Sequence, residues 1–132
     1  RAADRIQVFQ KDGTYVTEHI IAPATRSQGS TWDIDFSPDE EQTFLYLADG
    51  QNMKVYIILR ETMEVLTAFG DGGRQPGMFF AVHSIAVDSD GNIYTTETYE
   101  GSRVQKFVYK GMGNIPEDAQ GTNSQGVLWP SQ

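Results

Sequence analysis

Residues 83–94 have the sequence HSIAVDSDGNIY, and residues 102–107 follow with SRVQKF. The first stretch places two short runs of strand-forming residues on either side of Asp90-Gly91. That dipeptide favours a tight hairpin, because glycine adopts positive φ without a Cβ clash and aspartate hydrogen-bonds the turn backbone. The stretch therefore predicts two antiparallel strands followed by a third strand that a cation leads.

The cation-led strand recurs at a fixed interval along the chain. Three segments align on a cation followed by a β-branched residue: Asp4–Phe9, Met53–Ile58 and Ser102–Phe107. The cations themselves, Arg5, Lys54 and Arg103, are 49 residues apart in both steps. A fixed period of this length is the sequence signature of a repeat architecture.

Each complete unit contains four strand-like segments. The first is apolar and matches between Trp32–Asp39 and His83–Asp90, and the second ends in a carboxylate in both Phe44–Asp49 and Asn92–Glu97. The middle unit adds a fourth segment, Glu64–Gly70. Four antiparallel strands every 40 to 50 residues or so are typical of β-propeller blades. The 132 residues therefore predict an all-β chain of about 2.7 units of 49 residues.

Two parts of this pattern carry a resemblance to a known family. Arg-Ile-Gln-Val-Phe at residues 5–9 precedes an Asp-Gly turn, and Ile-Ala-Val-Asp-x-Asp-Gly-Asn-Ile-Tyr at 85–94 precedes Arg-Val-Gln-Lys-Phe at 103–107. The pattern resembles NHL repeats over residues 4–110, most closely in Phe80–Phe107. In the second unit, Phe-Ser-Pro-Asp replaces the usual valine–aspartate turn. The resemblance implies a β-propeller, which in this family has six blades as a rule.

The chain 1–132 is predicted to be a partial propeller rather than a closed ring. It divides into the last two strands of one blade, a complete blade, three strands of a third and a tail: 1–27, 28–75, 76–110 and 111–132. The tail contains Gly126–Pro130, which is a candidate closing strand. Nine strands cannot close a ring of about four to eight four-stranded blades. We therefore expect the C-terminal part of a longer propeller, whose other blades close the ring, or several copies that assemble.

Composition narrows the classes of partner. The net charge is −8, from 10 Lys and Arg against 18 Asp and Glu, and no basic patch is present in the sequence. This charge disfavours nucleic acid and anionic membrane surfaces as partners. No apolar run approaches the roughly 20 residues of a membrane span, so membrane insertion is not expected. The chain has no cysteine, which excludes disulfides, thiol nucleophiles and thiolate metal sites.

His83 is the first candidate functional residue, because it precedes the predicted innermost strand at the expected channel mouth. The resemblance extends distantly to propellers of the peptidyl-amidoglycolate lyase type, in which such histidines from several blades bind zinc. A catalytic zinc needs about three protein ligands, but Trp32 stands at the equivalent place one blade earlier and His19 lies on an outer strand. His83 is therefore a metal ligand, a channel-lining histidine or a partner contact. No cofactor is expected for this chain, and zinc or calcium is an alternative for the full-length protein.

Trp32 and Asp33 lie at the same level as His83 and Ser84, one blade earlier. An aromatic face beside a carboxylate suits a sugar, a peptide or a cationic ligand. The alternative is that Trp32 packs between blades and Asp33 caps a turn. These four residues are the candidate ligand-binding set.

A carboxylate ends the second strand and a cation begins the third strand in both later units. The pairs are Asp49 with Lys54 and Glu97 with Arg103. A repeated pair of this kind is typical of architecture, because a charge-assisted hydrogen bond fastens a loop. A catalytic acid and base would have to converge on one pocket, which residues of two different blades do not favour.

Three functions follow as alternatives. The favoured one is an NHL-type β-propeller module without enzymatic activity, which binds a protein, peptide or glycan through its channel-mouth loops. The second is part of a metal-dependent propeller lyase or hydrolase with His83 in the channel, and the third is a structural or self-assembling propeller. The family resemblance alone favours a bacterial protein of the periplasm or the extracellular space.

Overall fold

The computed structural model describes residues 1–114, which form nine β-strands and no helix. The strands are β1 (Arg5–Phe9), β2 (Tyr15–Ile20), β3 (Asp33–Phe36), β4 (Phe44–Asp49), β5 (Lys54–Leu59), β6 (Glu64–Phe69), β7 (Val82–Val87), β8 (Ile93–Glu97) and β9 (Val104–Phe107). The predicted all-β fold class is confirmed. The candidate closing strand Gly126–Pro130 lies outside the described residues. Within residues 1–114, no helix long and apolar enough to cross a membrane is found.

Neighbouring strands pair antiparallel in three sheets, which hold two, four and three strands. We call them blade 1 (β1–β2), blade 2 (β3–β6) and blade 3 (β7–β9). In each blade the chain runs from one strand to its immediate neighbour, as in a propeller blade. The three sheets of the described residues do not close a ring.

The central strand of the packing is β4, which is buried on both faces. Side chains alternate between the two faces of a strand, so Leu45 and Leu47 face blade 1 while Tyr46 and Ala48 face blade 3. All four side chains are buried. This double burial explains why β4 is apolar from Phe44 to Ala48 instead of alternating with polar residues.

Two apolar cores hold the blades together. The core between blades 2 and 3 contains Tyr46, Ala48, Val55, Phe69, Phe79, Val82, Ile85, Ile93 and Phe107. The smaller core between blades 1 and 2 contains Ile21, Leu45, Leu47 and Ile58. Blade 3 is therefore joined to blade 2 by the larger apolar contact.

The 49-residue period appears in the backbone as well as in the sequence. Asp4, Met53 and Ser102 adopt positive φ, at 51°, 58° and 42°. Each of these residues directly precedes the cation that leads the third strand of its unit. A left-handed conformation costs a non-glycine residue about 1–2 kcal/mol, so its recurrence without glycine indicates that the loop geometry at this point is imposed by the fold.

The turns between the first and second strands of blades 2 and 3 are each organised by one aspartate. In blade 3 the Asn92 backbone N–H donates to Asp88 Oδ1 at 2.9 Å, and the Asn92 side-chain amide donates to Asp88 Oδ2 at 2.9 Å. In blade 2 the Thr43 backbone N–H donates to Asp39 Oδ2 at 2.9 Å, and the Ser37 hydroxyl donates to Oδ1. These bonds, led by those from Asn92 and Ser37, lower the pKa of both carboxyls from 3.8 to about 2.

The lowered pKa of Asp88 predicts a loss of stability in acid. A carboxyl whose pKa is lower in the folded state contributes stability above its ordinary pKa, and that contribution is lost as the pH falls from about 4 to about 2. We expect the melting temperature of the wild type to fall over this range, and that of Asp88→Asn to fall less. Thermal unfolding followed by circular dichroism at pH 5, 4, 3 and 2 measures how the melting temperature of each protein depends on pH.

Asp90→Asn is the matched control for this experiment, since Asp90 lies in the same turn. Its carboxylate accepts no hydrogen bond from the residues that the structure describes. We expect Asp90→Asn to follow the wild-type slope. If the melting temperature of Asp88→Asn fell with pH as steeply as that of the wild type, Asp88 would not be a cause of the loss of stability in acid.

Candidate functional site

His83 lies inside β7, whereas the sequence predicted that it would precede the strand. The pairing of β7 with β8 is irregular between Val82 and Ser84, so His83 occupies a bulge. A bulge leaves one residue unpaired and re-aims its side chain. The His83 side chain is exposed, and its Nδ1 lies 3.2 Å from the Ser84 hydroxyl oxygen. The irregularity therefore presents the imidazole to solvent beside a hydroxyl.

Trp32 comes directly before β3 and contacts His83 across the two blades. The two ring centroids are 5.6 Å apart, with an edge-to-face angle of 83°. The Arg1 guanidinium lies over the indole, 3.9 Å from the ring centroid, and the indole N–H donates to the Gly29 carbonyl at 2.7 Å. A Cβ on Gly50 would approach the indole to 2.6 Å, so this residue also packs against it. The aromatic face that was expected to suit a sugar, a peptide or a cationic ligand is therefore already in contact with the protein.

Arg1, Trp32, His83 and Ser84 form one group, which we call the His83 cluster. Arg1 also donates from its guanidinium to the Gln28 side chain at 3.0 Å. The sequence pointed to three of the four members. It did not point to Arg1, because 31 positions separate that residue from Trp32 and nothing local marks it as a neighbour.

Asp33 joins blade 2 to blade 3 together with Asp35, which the sequence analysis did not single out. Asp33 Oδ2 accepts the backbone N–H of Ile85 at 3.0 Å, and Asp35 Oδ2 accepts that of Val87 at 2.7 Å. The other oxygen of each carboxylate accepts the N–H of the next residue in β3, at 3.0 and 2.8 Å. Asp33 therefore bonds the neighbouring blade instead of capping a turn. The signal in the sequence was the alternation Asp-Ile-Asp, which puts both carboxylates on one face of a strand.

Glu97 and Arg103 form an ion pair, with Nε and Oε1 at 2.5 Å. The Glu97 side chain is 0% exposed and that of Arg103 is 25% exposed. Two further donors satisfy the carboxylate, the Phe80 N–H and the Gln105 side-chain amide, both at 2.8 Å. A buried carboxylate needs this number of donors, because it has lost its hydration.

The same network fastens the crossover between blades 2 and 3, residues 70–81. The Arg103 guanidinium donates to the carbonyl of Arg74 at 2.5 Å and to that of Met78. The Gln105 side chain donates to the Met78 carbonyl at 2.8 Å and accepts the Gly77 N–H at 2.9 Å. Side chains just before and within β9 therefore hold a glycine-rich loop, in addition to the backbone bonds that the loop makes within itself.

The other pair, Asp49 and Lys54, has a different arrangement. The two residues are cross-strand neighbours, but Asp49 accepts from the Asn52 N–H at 2.8 Å and from the Asn52 side-chain amide at 2.6 Å. Burial raises the pKa of Asp49. Lys54 Nζ lies 3.5 Å from the Gly70 carbonyl, and Asn52 donates to the Thr25 hydroxyl in the preceding crossover at 2.9 Å. Asn52 therefore links blade 2 to its crossover, as Arg103 does in blade 3.

Comparison with known proteins gives one finding that bears on the family. Residues 82–107 match the family model described as NHL repeat. Blade 3 is matched from its first strand to its last. This finding supports the NHL repeat family for the chain. No curated protein is similar enough to the chain to match.

The NHL match covers β7, which carries His83 and Ser84, and the Glu97–Arg103 pair. The blade count of six and the likeness to lyase-type propellers are finer than this match and stay predictions. Among residues 1–114, no three His, Asp or Glu side chains lie close enough together to hold a metal ion. Zinc or calcium in a full-length protein likewise stays a prediction.

Proposed function

We propose that this chain is an NHL-type β-propeller module that binds a peptide segment of a partner protein at the His83 cluster. The NHL match supports a β-propeller module, and such repeats often mediate protein interaction. The observation that carries the proposal is the bulge in β7, which turns an exposed imidazole toward solvent beside Trp32 and Ser84.

The chemistry of the cluster favours a peptide over a glycan. The groups near the surface are an imidazole, a hydroxyl and a guanidinium, which pair with the carbonyl and carboxylate oxygens of a peptide. A sugar would need the face of the indole, and Arg1 and Gly50 pack against that ring. Asp33 is also engaged, because both of its carboxylate oxygens accept backbone N–H groups.

A selection experiment tests the proposal. A phage library of random 12-residue peptides is selected on the 132-residue chain, and the enriched peptides are synthesised with a fluorophore for anisotropy titrations. We expect His83→Ala to weaken their binding at least tenfold, which corresponds to about 1.4 kcal/mol. His19→Ala is the matched control, because this second histidine lies on β2 of blade 1, and it is expected to bind as the wild type does.

Circular dichroism melts of both variants are the check that each of them is folded. Equal affinity of the wild type and His83→Ala for the selected peptides would contradict the proposal. So would a selection that enriches no peptide while a glycan array, probed with the same labelled chain, gives signals that His83→Ala removes.

A further inference from the structure

The bulge in β7 interrupts the strand pairing that would otherwise hold His83 in place. Val82 pairs with Glu97 and Ser84 pairs with Thr96, which leaves His83 without a cross-strand partner on β8. Within residues 1–114, β7 is also the edge strand of its sheet, so no second strand pairs with it on the other side. Strand pairing therefore holds the backbone that carries the imidazole from one side only, and irregularly.

Two carboxylates of β3 bind the other edge of β7. Asp33 Oδ2 accepts the Ile85 N–H at 3.0 Å, and Asp35 Oδ2 accepts the Val87 N–H at 2.7 Å. In both residues the second carboxylate oxygen accepts the N–H of the next residue of β3, which fixes the orientation of the carboxylate. The two aspartates are therefore alike in their bonding, since each joins one N–H of β3 to one N–H of β7.

The two aspartates differ in their distance from the His83 cluster. Asp33 directly follows Trp32, and the N–H that it accepts from β7 lies two residues beyond His83. The bond of Asp35 lies two residues farther along both strands. A strand rises about 3.3 Å per residue, so this bond is roughly 7 Å farther from the bulge. The Asp33 bond therefore connects the backbone beside the indole to the backbone beside the bulge.

The indole of Trp32 is held by other bonds. The Trp32 backbone N–H donates to the Ala48 carbonyl at 3.0 Å, and the indole N–H donates to the Gly29 carbonyl at 2.7 Å. Among residues 1–114, by contrast, the polar contact of the imidazole is with Ser84, its neighbour in the sequence. The distance of 5.6 Å between the two ring centroids therefore depends on how β7 is placed against β3.

We propose that Asp33 is a positioning residue for peptide binding at the His83 cluster, an inference that rests on the function proposed above. Its bond to the Ile85 N–H holds the end of the bulge against β3, and so holds the imidazole at its edge-to-face contact with the indole. Binding groups have to be kept within about 0.5 Å of their working positions by the residues that support them. Asp35 joins the same two strands farther from the bulge, so it contributes to stability without placing the imidazole.

NMR measures the position of the imidazole directly. The ring of His83 lies in the ring-current field of Trp32, and ¹³C-labelled histidine reports its ring protons in the folded chain. Spectra are recorded at about pH 9, so that protonation of the imidazole does not contribute. We expect Asp33→Ala to move the His83 signals most of the way toward their positions in the urea-unfolded chain. Asp35→Ala is the matched control and is expected to leave them near the wild-type positions, and His19 on β2 is the internal reference.

Peptide binding is the second readout of the same variants. The peptides enriched in the phage selection are titrated against each, and we expect Asp33→Ala to weaken their binding by about tenfold or more and Asp35→Ala by less than about twofold. Asp33→Asn keeps an oxygen that accepts the Ile85 N–H, so we expect its affinity to lie within about threefold of the wild type. Rescue by this variant would not follow from a charge effect.

Circular dichroism melts compare the stability of the variants. We expect similar losses for the two alanine variants, because each loses one bond to β3 and one to β7. Asp33→Ser, whose hydroxyl is one bond shorter than a carboxylate, gives the same test if Asp33→Ala does not fold.

Unchanged His83 signals in Asp33→Ala would overturn the proposal and would leave peptide binding at the cluster intact. Equal displacement of these signals in Asp33→Ala and Asp35→Ala would also overturn it, because it would indicate a general loosening between blades 2 and 3. So would displaced signals with unchanged peptide affinity. Failure of the proposed function is a different result, namely equal affinity of the wild type and His83→Ala, and the NMR measurement does not depend on it.

Discussion

The Arg103→Met variant is expected to be about 3–5 kcal/mol less stable than the wild type. Removing one partner of a buried ion pair leaves the other charge uncompensated, which is strongly destabilising. The partner here is Glu97, whose side chain is 0% exposed. Methionine keeps much of the aliphatic length of arginine. The decrease in the free energy of unfolding therefore reports the contribution of the guanidinium, which bonds Glu97 and the crossover carbonyls. Urea unfolding followed by circular dichroism gives the free energy.

Arg5→Met is the internal control, because Arg5 leads the third strand of the first unit as Arg103 does in the third. Its ion pair with Glu18 is exposed and 3.3 Å long, and pairs of this kind contribute about 0–1 kcal/mol. The double variant Glu97→Gln/Arg103→Met is expected to be more stable than Arg103→Met alone, since it buries no charge. If Arg103→Met cost no more than Arg5→Met, the buried network would not be what holds the crossover.

The strands were predictable because their signals are local. The segment Phe44–Asp49 was expected as a strand and is one with the same bounds, since its apolar run Phe44–Ala48 stands between turn signals. The period of 49 residues also made it possible to assign the strands to repeat units, because Arg5, Lys54 and Arg103 occupy the same position in successive units.

The functions of the site residues were less predictable, because they depend on contacts between blades. Asp33 was expected as a ligand-binding residue or a turn cap, and its partner turned out to be a backbone N–H 52 positions away. The packing of Trp32 depends on Arg1 and Gly50, which no local pattern connects to it. His83 was placed at the start of the inner strand, but the bulge that re-aims it is a property of the pairing between β7 and β8.

The bonding partners of the two carboxylate–cation pairs were also not predictable from the sequence. The recurrence of a carboxylate and a cation in both units predicted equivalent pairs, yet Glu97 binds Arg103 while Asp49 binds Asn52. A glutamate is one methylene longer than an aspartate, and an arginine fork has several donors where a lysine has a single ammonium group. Repeat position therefore determines which residues face each other, and side-chain length and donor number determine which of them bond.

Phe79→Ala is expected to cost about 3–5 kcal/mol, the usual range for truncating a buried phenylalanine. Phe79 is 0% exposed and lies in the crossover, where its ring centroid is 6.0 Å from that of Phe69 and 5.7 Å from that of Phe107. These three rings come from the last strand of blade 2, the crossover and the last strand of blade 3. Gly70 lies against the Phe79 ring and has no side chain. It therefore cannot fill the cavity that the truncation of Phe79 would leave.

Phe9→Ala is the control for Phe79→Ala, because Phe9 is 52% exposed and its described ring contact is with Tyr15 alone. We expect a cost below about 1 kcal/mol for it, and an intermediate cost for Phe79→Leu, which leaves a smaller cavity. The shape of the unfolding curve carries a second test. If the three rings join blades 2 and 3 into one cooperative unit, Phe79→Ala keeps a single transition at lower denaturant concentration. Two separate transitions in the wild type would instead mean that each blade is stable without this core, and the aromatic cluster would then be a contact between independent units.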